Sequence, residues 1–334
     1  MTISVLHKKQ FQKKVLDRYE ANKRDLPWRQ TQDPYKIMVS EFMLQQTQVP
    51  RVIQKFARWM ELRPTVQDLA SASRADVLRE WSWLWFNRRA INLHESAKKI
   101  ASSIENGEKK DSSLRSEWLL LDESRWDGSE WLLLDESRGD GSEWLLLDES
   151  KWDSGEWLLL DRSKWDSSEW VLQNKYMSDY AFLRSLPWVG EYTANAILAF
   201  AYNQEVAVID INIKRVLIHS FELPVDMPQF ELQELALSLV PHWKSCDWHN
   251  ALMDYWSQVL HSKATWIRSA KQSTFAWSDR EVRGWILKQL ALQPSISIIT
   301  ISQQRPDKNV ENIVAGLCKE WMLVMQGMKL RIAD

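Results

Sequence analysis

The chain has 334 residues, 45% of them hydrophobic and 26% charged, which excludes a peptide or a disordered protein and leaves room for two or three domains. No run of about 18 apolar residues could span a bilayer, and Met1 to Lys9 turns charged before an apolar leader could form, so a soluble, cytoplasmic protein is expected. Only Cys246 and Cys318 are present, which fits a reducing compartment and excludes a disulfide framework or a cysteine-built metal cluster.

Leu62 to Ala70 reads as the start of a helix, and Arg74 to Trp81 and Ala90 to Ile100 carry apolar residues at three- and four-residue spacing. Short helices joined by short turns predict an orthogonal bundle. Trp118, Trp131, Trp144, Trp157 and Trp170 then recur every 13 residues in units such as Ser-Glu-Trp-Leu-Leu-Leu-Asp-Glu-Ser-Arg-Trp-Asp-Gly, a tandem array. Residues 116 to 169 hold 16 acidic and 5 basic side chains, a net of −11, so the formal charge of −2 conceals a remainder of +9. A basic remainder suits a polyanion such as nucleic acid, although many solvated surfaces are equally basic. The array reads as an expanded low-complexity surface segment, with a partner surface as the alternative.

Beyond the array, Leu186-Pro187-Trp188-Val189-Gly190 places a tight turn between two helical stretches, either an ordinary helix connection or, with glycine at 188, a helix-hairpin-helix. Such a hairpin uses glycines because its amides approach a phosphate closely and accept positive φ, while the next helix N-terminus favours the anion. After Asp279 come a helix through Val282, Ile286, Leu287 and Leu290, an apolar run Ile296 to Ile301, and a helix from Val310 to Lys319. Met322 to Met325 and Met328 to Ile332 around Gln326-Gly327 predict a hairpin. Helices with a terminal hairpin point to a small winged-helix module, structural, dimerising or DNA-contacting.

Glycine and tryptophan counts are inverted. The chain has 9 Gly and 21 Trp, where about 23 Gly, roughly 7%, is ordinary. One repeat position alternates between the two residues, with Gly139 where neighbouring units have Trp126 and Trp152.

Four ordered blocks carry a family resemblance: Leu26-Pro27-Trp28-Arg29; Asp33-Pro34-Tyr35-Lys36-Ile37-Met38-Val39-Ser40-Glu41-Phe42-Met43-Leu44-Gln45-Gln46-Thr47-Gln48-Val49; the hairpin; and Val208-Ile209-Asp210-Ile211-Asn212-Ile213-Lys214-Arg215-Val216-Leu217. With the array excised they resemble the helix-hairpin-helix (HhH-GPD) DNA glycosylases of the endonuclease III superfamily, most closely the MutY-type adenine DNA glycosylase branch, over roughly residues 10 to 265. The resemblance implies an all-α, two-lobed core from residues 1–110 and 171–278, interrupted by the acidic array at 111–170 and followed by the winged-helix module at 279–334. Residues 1 to 25 are expected to pack with 210 to about 278, and 26 to 110 with 171 to 209, with the cleft between the two lobes.

Breaking an N-glycosidic bond requires an acid for the leaving purine, an anion for an oxocarbenium-like sugar, and a nucleotide flipped out of its stack. The resemblance assigns Glu41 as the acid, Asp210 as the carboxylate under the sugar and Asn212 as its polar support. Taken singly, Glu41 in an apolar helix and Asp210 after a Val206 to Ile209 run also fit caps or salt-bridge partners. Members that also cut the backbone carry a lysine where this chain has Tyr192, and a phenol forms no Schiff base, so a monofunctional enzyme is expected. Gln45, Gln46 and Thr47 resemble strand-penetrating and partner-base residues, or else an amide-rich helix end. Leu186, Trp188, Val189, Gly190, Thr193 and Arg215 fall where the family grips the DNA backbone.

The chain departs from that pattern in three ways. Leu260-His261-Ser262-Lys263 follows Met253-Asp254-Tyr255-Trp256 without cysteine, so no iron–sulfur cluster and no other metal cofactor is expected. The long domain that reads 8-oxoguanine is replaced by the short module. Trp83-Leu84-Trp85-Phe86-Asn87 stands for Gly-Leu-Gly-Tyr-Tyr, so a second intercalating tyrosine is Asn87. Trp83, Trp85, Trp188 and Trp256 all occupy expected glycine sites, which leads to the hypothesis that the lineage reads UGA as glycine. The expected activity is hydrolysis of the bond to a flipped adenine opposite guanine or 8-oxoguanine, by a nucleoid-associated monomer acting on duplex DNA. A thymine or uracil mismatch glycosylase and a non-catalytic DNA-binding protein are the alternatives.

Overall fold

The computed structural model describes residues 3–81, 87–110, 130–134, 144–148, 168–260, 278–320 and 322–333. Two compact units divide the chain, Met1–Lys99 with Met177–Asp334, and Ile100–Tyr176.

The larger unit begins with α1 (Val5–Asn22), N-capped by Ser4, whose hydroxyl accepts from the His7 amide at 3.2 Å. Its inward stripe, Phe11, Val15 and Tyr19, repeats every four residues and is buried. After a 3₁₀ turn (Pro27–Arg29) come α2 (Pro34–Leu44), α3 (Val49–Leu62), α4 (Val66–Ala70), α5 (Arg74–Trp81) and α6 (Arg88–Lys110). Helix α4 starts in a reciprocal capping box between Thr65 and Asp68, and α5 has the bounds its periodicity predicts. Helix α2 is apolar on nearly every side and therefore central, with Pro34, Tyr35 and every residue from Ile37 to Met43 buried. Trp59 of α3 and Trp81 of α5 meet edge to face at 5.4 Å over the same core.

Helix α7 (Ser168–Met177) belongs to the second unit up to Tyr176, and the larger unit resumes at Met177 with α8 (Tyr180–Ser185), α9 (Glu191–Tyr202), α10 (Ile211–Phe221), α11 (Gln229–Leu237) and α12 (Ser245–Tyr255), which runs into a π turn (Trp256–Leu260). One core cluster joins Phe11, Val15 and Tyr19 of α1 to Val216, Leu217, Trp248 and Leu252 of α10 and α12. Asp254 on α12 is buried and receives both Arg29 nitrogens at 2.9 Å, along with the Arg24 guanidinium, which pins the segment before α2 to α12.

At the C-terminal end are α13 (Asp279–Leu292), β3 (Ile296–Ser297), α14 (Ile298–Gln304), α15 (Val310–Lys319), β4 (Leu323–Gln326) and β5 (Lys329–Ile332), with an antiparallel sheet ordered β3-β5-β4. The run Ile296 to Ile301 splits after two strand residues because Ser297 caps α14, accepting from the Ile299 amide at 3.2 Å. The hairpin turn is Gly327-Met328, one residue later than the sequence predicts: Gln326 pairs with Lys329, and Gly327 takes φ +61 at the first turn position, the type II′ pattern.

Within the second unit, β1 (Glu130–Leu134) and β2 (Trp144–Asp148) pair antiparallel with Trp131 opposite Leu147, so consecutive copies of the 13-residue unit form the two strands. Of the rest of the predicted array, Ser168 to Trp170 begin helix α7, and the remainder lies outside the described residues. Among the described residues no helix is long and apolar enough to cross a membrane.

Candidate active site

A cavity of about 1250 Å³ opens in the larger unit, and its walls include Glu41, Gln45, Gln46 and Thr47 from α2 and the turn after it, Tyr192 from α9, and Asp210 and Asn212 from the start of α10. Residues that lie as much as 171 positions apart in the chain, Glu41 and Asn212, thus share one chamber.

Glu41 is the acidic residue of a helix that is buried almost throughout, and it is itself only 6% exposed. Burial pushes its carboxyl up from 4.5 to about 7, partly opposed by a hydrogen bond from the Tyr192 hydroxyl and assisted by the charge of Asp210. Tyr192 lies one residue into α9. Burial and then the neighbouring charges of Glu41 and Asp210 hold its hydroxyl protonated well above the usual range, so it serves as a donor to Glu41.

Asp210 is the N-cap of α10. Its Oδ1 accepts from the amides of Asn212 at 2.9 Å and Ile213 at 2.7 Å, and its Oδ2 accepts from Asn212 Nδ2 at 2.9 Å. Burial still raises its carboxyl above the ordinary value, outweighing these bonds and the charge of Arg215. Asn212 is held in turn by Arg215, whose Nη1 donates to Asn212 Oδ1 at 3.3 Å and whose guanidinium lies 5.2 Å from the Trp256 ring centre. Arg215, expected on the DNA backbone, thus also supports Asn212, the residue that holds the Asp210 carboxylate.

Two supports were invisible in the sequence. His249 on α12 is buried, accepts the Val208 amide on Nε2 at 3.1 Å and donates from Nδ1 to the Ser245 carbonyl at 2.7 Å, which fixes its neutral tautomer and the segment leading into Asp210. Burial pushes its pKa down to about 4, in keeping with that neutral form. Arg89 at the start of α6 grips the end of α2 and the turn after it. A histidine following an aromatic and an arginine within a basic pair are unremarkable patterns, so only their partners reveal them.

The hairpin stands apart from the cavity, at the N-terminus of the helix that carries Tyr192. Leu186, Val189 and Thr193 are buried. Gly190 N-caps α9 with no side-chain cap, leaving the first-turn amides of α9 without intrahelical partners. Its φ is −75, and the nearest atom to an added Cβ would be Arg184 Nη1 at 4.0 Å. The positive φ expected of the hairpin falls at position 188, the expected glycine site, where Trp188 has φ 62 and 61% exposure. Trp243 shares this feature at φ 58, whereas Trp256 is buried in the π turn and Trp83 and Trp85 lie outside the described residues.

A bulky side chain in the left-handed region is strained by about 1–3 kcal/mol, and glycine is not. Trp188→Gly is therefore expected to raise stability by about 1 kcal/mol or more and to tighten duplex binding, read from urea midpoints and filter binding. An unchanged or lower midpoint would count against glycine as the residue this turn requires. Mass spectrometry of the natural protein, asking whether positions 126 and 188 carry indole, addresses the recoding hypothesis directly.

Residues 39–241 match the HhH-GPD superfamily base excision DNA repair protein family. The chain is 28% identical over 312 residues to the adenine DNA glycosylase of Mycolicibacterium smegmatis, covering 86% of this chain and 82% of that protein. It is 27% identical over 332 residues to the adenine DNA glycosylase of Mycobacterium tuberculosis H37Rv, covering 89% and 86%. A solved thermostable thymine-DNA glycosylase has a similar fold, with TM-score 0.50 and 20% identity over 75% of this chain and 87% of that one.

Proposed function

The chain belongs to the HhH-GPD superfamily of base excision DNA repair proteins and is a DNA glycosylase, and we propose that it removes adenine paired with guanine or 8-oxoguanine from duplex DNA, hydrolysing the N-glycosidic bond without cutting the backbone. The observation that carries this reading is the meeting of Glu41, Tyr192 and Asp210 in one cavity, with Glu41 pushed up to about 7. A carboxyl of that kind still holds its proton near neutrality and can pass it to a purine nitrogen as the carbon–nitrogen bond breaks. Asp210 sits across the chamber with its geometry fixed by its own helix, and as an anion it stabilises the positive sugar. Water then adds its oxygen to the sugar carbon and gives up a proton, leaving an abasic site and free base. Tyr192 offers no amine, which supports the absence of strand cleavage.

In this reading the amides at the start of α9 hold a phosphate, while Gln45, Gln46 and Thr47 face the opened base pair. The order α13, β3, α14, α15, β4, β5 supports a winged-helix-like module after residue 278. The iron–sulfur cluster common in the superfamily does not fit this chain. It requires four thiolates, and the two cysteines lie on α12 and α15, where burial pushes the Cys246 thiol up to about 11 and raises that of Cys318. No step depends on such a group.

The test is a panel of duplexes carrying adenine opposite 8-oxoguanine, adenine opposite guanine, thymine opposite guanine and uracil opposite guanine. Adenine release is expected, with strand breaks only after alkali. Release of thymine or uracil alone would overturn the adenine assignment, and no release from any duplex would overturn the catalytic one.

A further inference from the structure

Arg89 is the second residue of α6 and is 7% exposed. A cation in the first turn of a helix faces the positive end of the helix dipole, and burying it adds a desolvation cost. Its position is therefore informative, because strong acceptors are needed to offset both penalties. Those acceptors come from the end of α2, whose last carbonyls have no partner within the helix. Arg89 Nη1 donates to the carbonyls of Phe42 at 2.9 Å, Met43 at 3.1 Å and Gln45, while Nη2 donates to Thr47 Oγ1 at 3.1 Å. One guanidinium thus caps α2 and holds the first and third residues of Gln45-Gln46-Thr47. Between them Gln46 is exposed and left-handed at φ 56, a conformation that persists only where the surroundings enforce it.

We propose that Arg89 is a positioning residue that keeps Gln45-Gln46-Thr47 in one preformed shape for entry into the duplex, an assignment that rests on the reading of this loop as DNA-facing. A loop already ordered in the free protein does not have to lose that freedom on binding, so more of the contact energy reaches the step that opens the base pair. Lysine cannot substitute fully, because its single nitrogen cannot span both the helix end and Thr47 as two guanidinium nitrogens do.

The experiment compares wild type with Arg89→Lys and Arg89→Met in the full chain. Amide hydrogen exchange in the free protein reads the loop without reference to activity. Both substitutions are expected to speed exchange at residues 45–48 about 10-fold or more, leaving α1 and α12 unchanged. Single-turnover excision at saturating enzyme should fall about 10- to 100-fold in Arg89→Met and less in Arg89→Lys, with affinity for undamaged duplex within about twofold of wild type. Unchanged exchange at 45–48 would overturn the proposal. So would a rise spread over the whole larger unit, which would make Arg89 a general packing residue, and so would a loosened loop with excision intact. If wild type excises nothing, the functional reading fails separately, while the exchange result still decides whether Arg89 orders the loop.

Discussion

Asp210→Asn is expected to lower the single-turnover rate of base release by about 10³-fold while leaving the protein folded. The substitution separates the two tasks of this side chain. As the N-cap of α10, Asp210 accepts the Asn212 and Ile213 amides through Oδ1, and an asparagine oxygen accepts the same bonds about equally well. As an anion near a developing sugar cation, it contributes an attraction that a neutral amide cannot replace. Chemical melts should therefore give a midpoint close to wild type, duplex affinity should persist through the hairpin, and only the chemical step should slow. The alternative in which Asp210 is merely a helix cap predicts a rate indistinguishable from wild type. Obtaining that rate from a folded variant would remove the catalytic assignment.

Glu41→Gln is expected to lower the rate by about 10²- to 10⁴-fold, the usual contribution of a placed general acid. The pH profile provides a more specific check. Burial raises the Glu41 carboxyl to about 7, so the wild-type rate should be level below that pH and fall about tenfold per unit above it, as the proton is lost. The residual activity of Glu41→Gln should show no such fall. Stability responds with the same sign. A carboxyl whose folded pKa is raised stabilises the fold fully below its ordinary value of 4.5, and that contribution is lost as pH rises through about 7. Glu41→Gln should therefore melt higher than wild type at pH 8 and nearly alike at pH 5. A wild-type profile flat from pH 6 to 8.5 would sink the assignment of Glu41 as the acid.

Several local elements were legible in the sequence to within a residue or two, although α6 runs ten residues past the Ile100 at which its spacing was read to end. The bounds of α5 and α15, the helix entry before α4 and the terminal hairpin all follow from spacing and turn residues, since each depends on neighbours a few positions away. Two further exceptions are instructive. Ser297 acts as a helix cap and divides an apolar run that resembles a continuous strand, and the hairpin turn moves one residue because Gly327 has to occupy its positive-φ position. In the helix-hairpin-helix the expectation of a glycine site at 188 agrees with the backbone, since the left-handed residue is Trp188 while Gly190 has an ordinary negative φ.

Composition and local pattern were enough to establish a helical core, an acidic array set against a basic remainder, and a thiol count too small for a four-thiolate cluster, while the family resemblance supplied the pair of candidate carboxylates. They could not establish that those carboxylates meet, or in what protonation state. Glu41 becomes an acid with a pKa near 7 because a helix apolar on nearly every side is buried at the centre of the unit, with Tyr192 and Asp210 brought near it from 151 and 169 positions further along the chain. The supports follow the same rule, since His249 reaches Val208 across 41 positions and Arg89 reaches Gln45 across 44. Desolvation and long-range hydrogen bonding depend on what surrounds a group in space, and that is settled only when the helices pack.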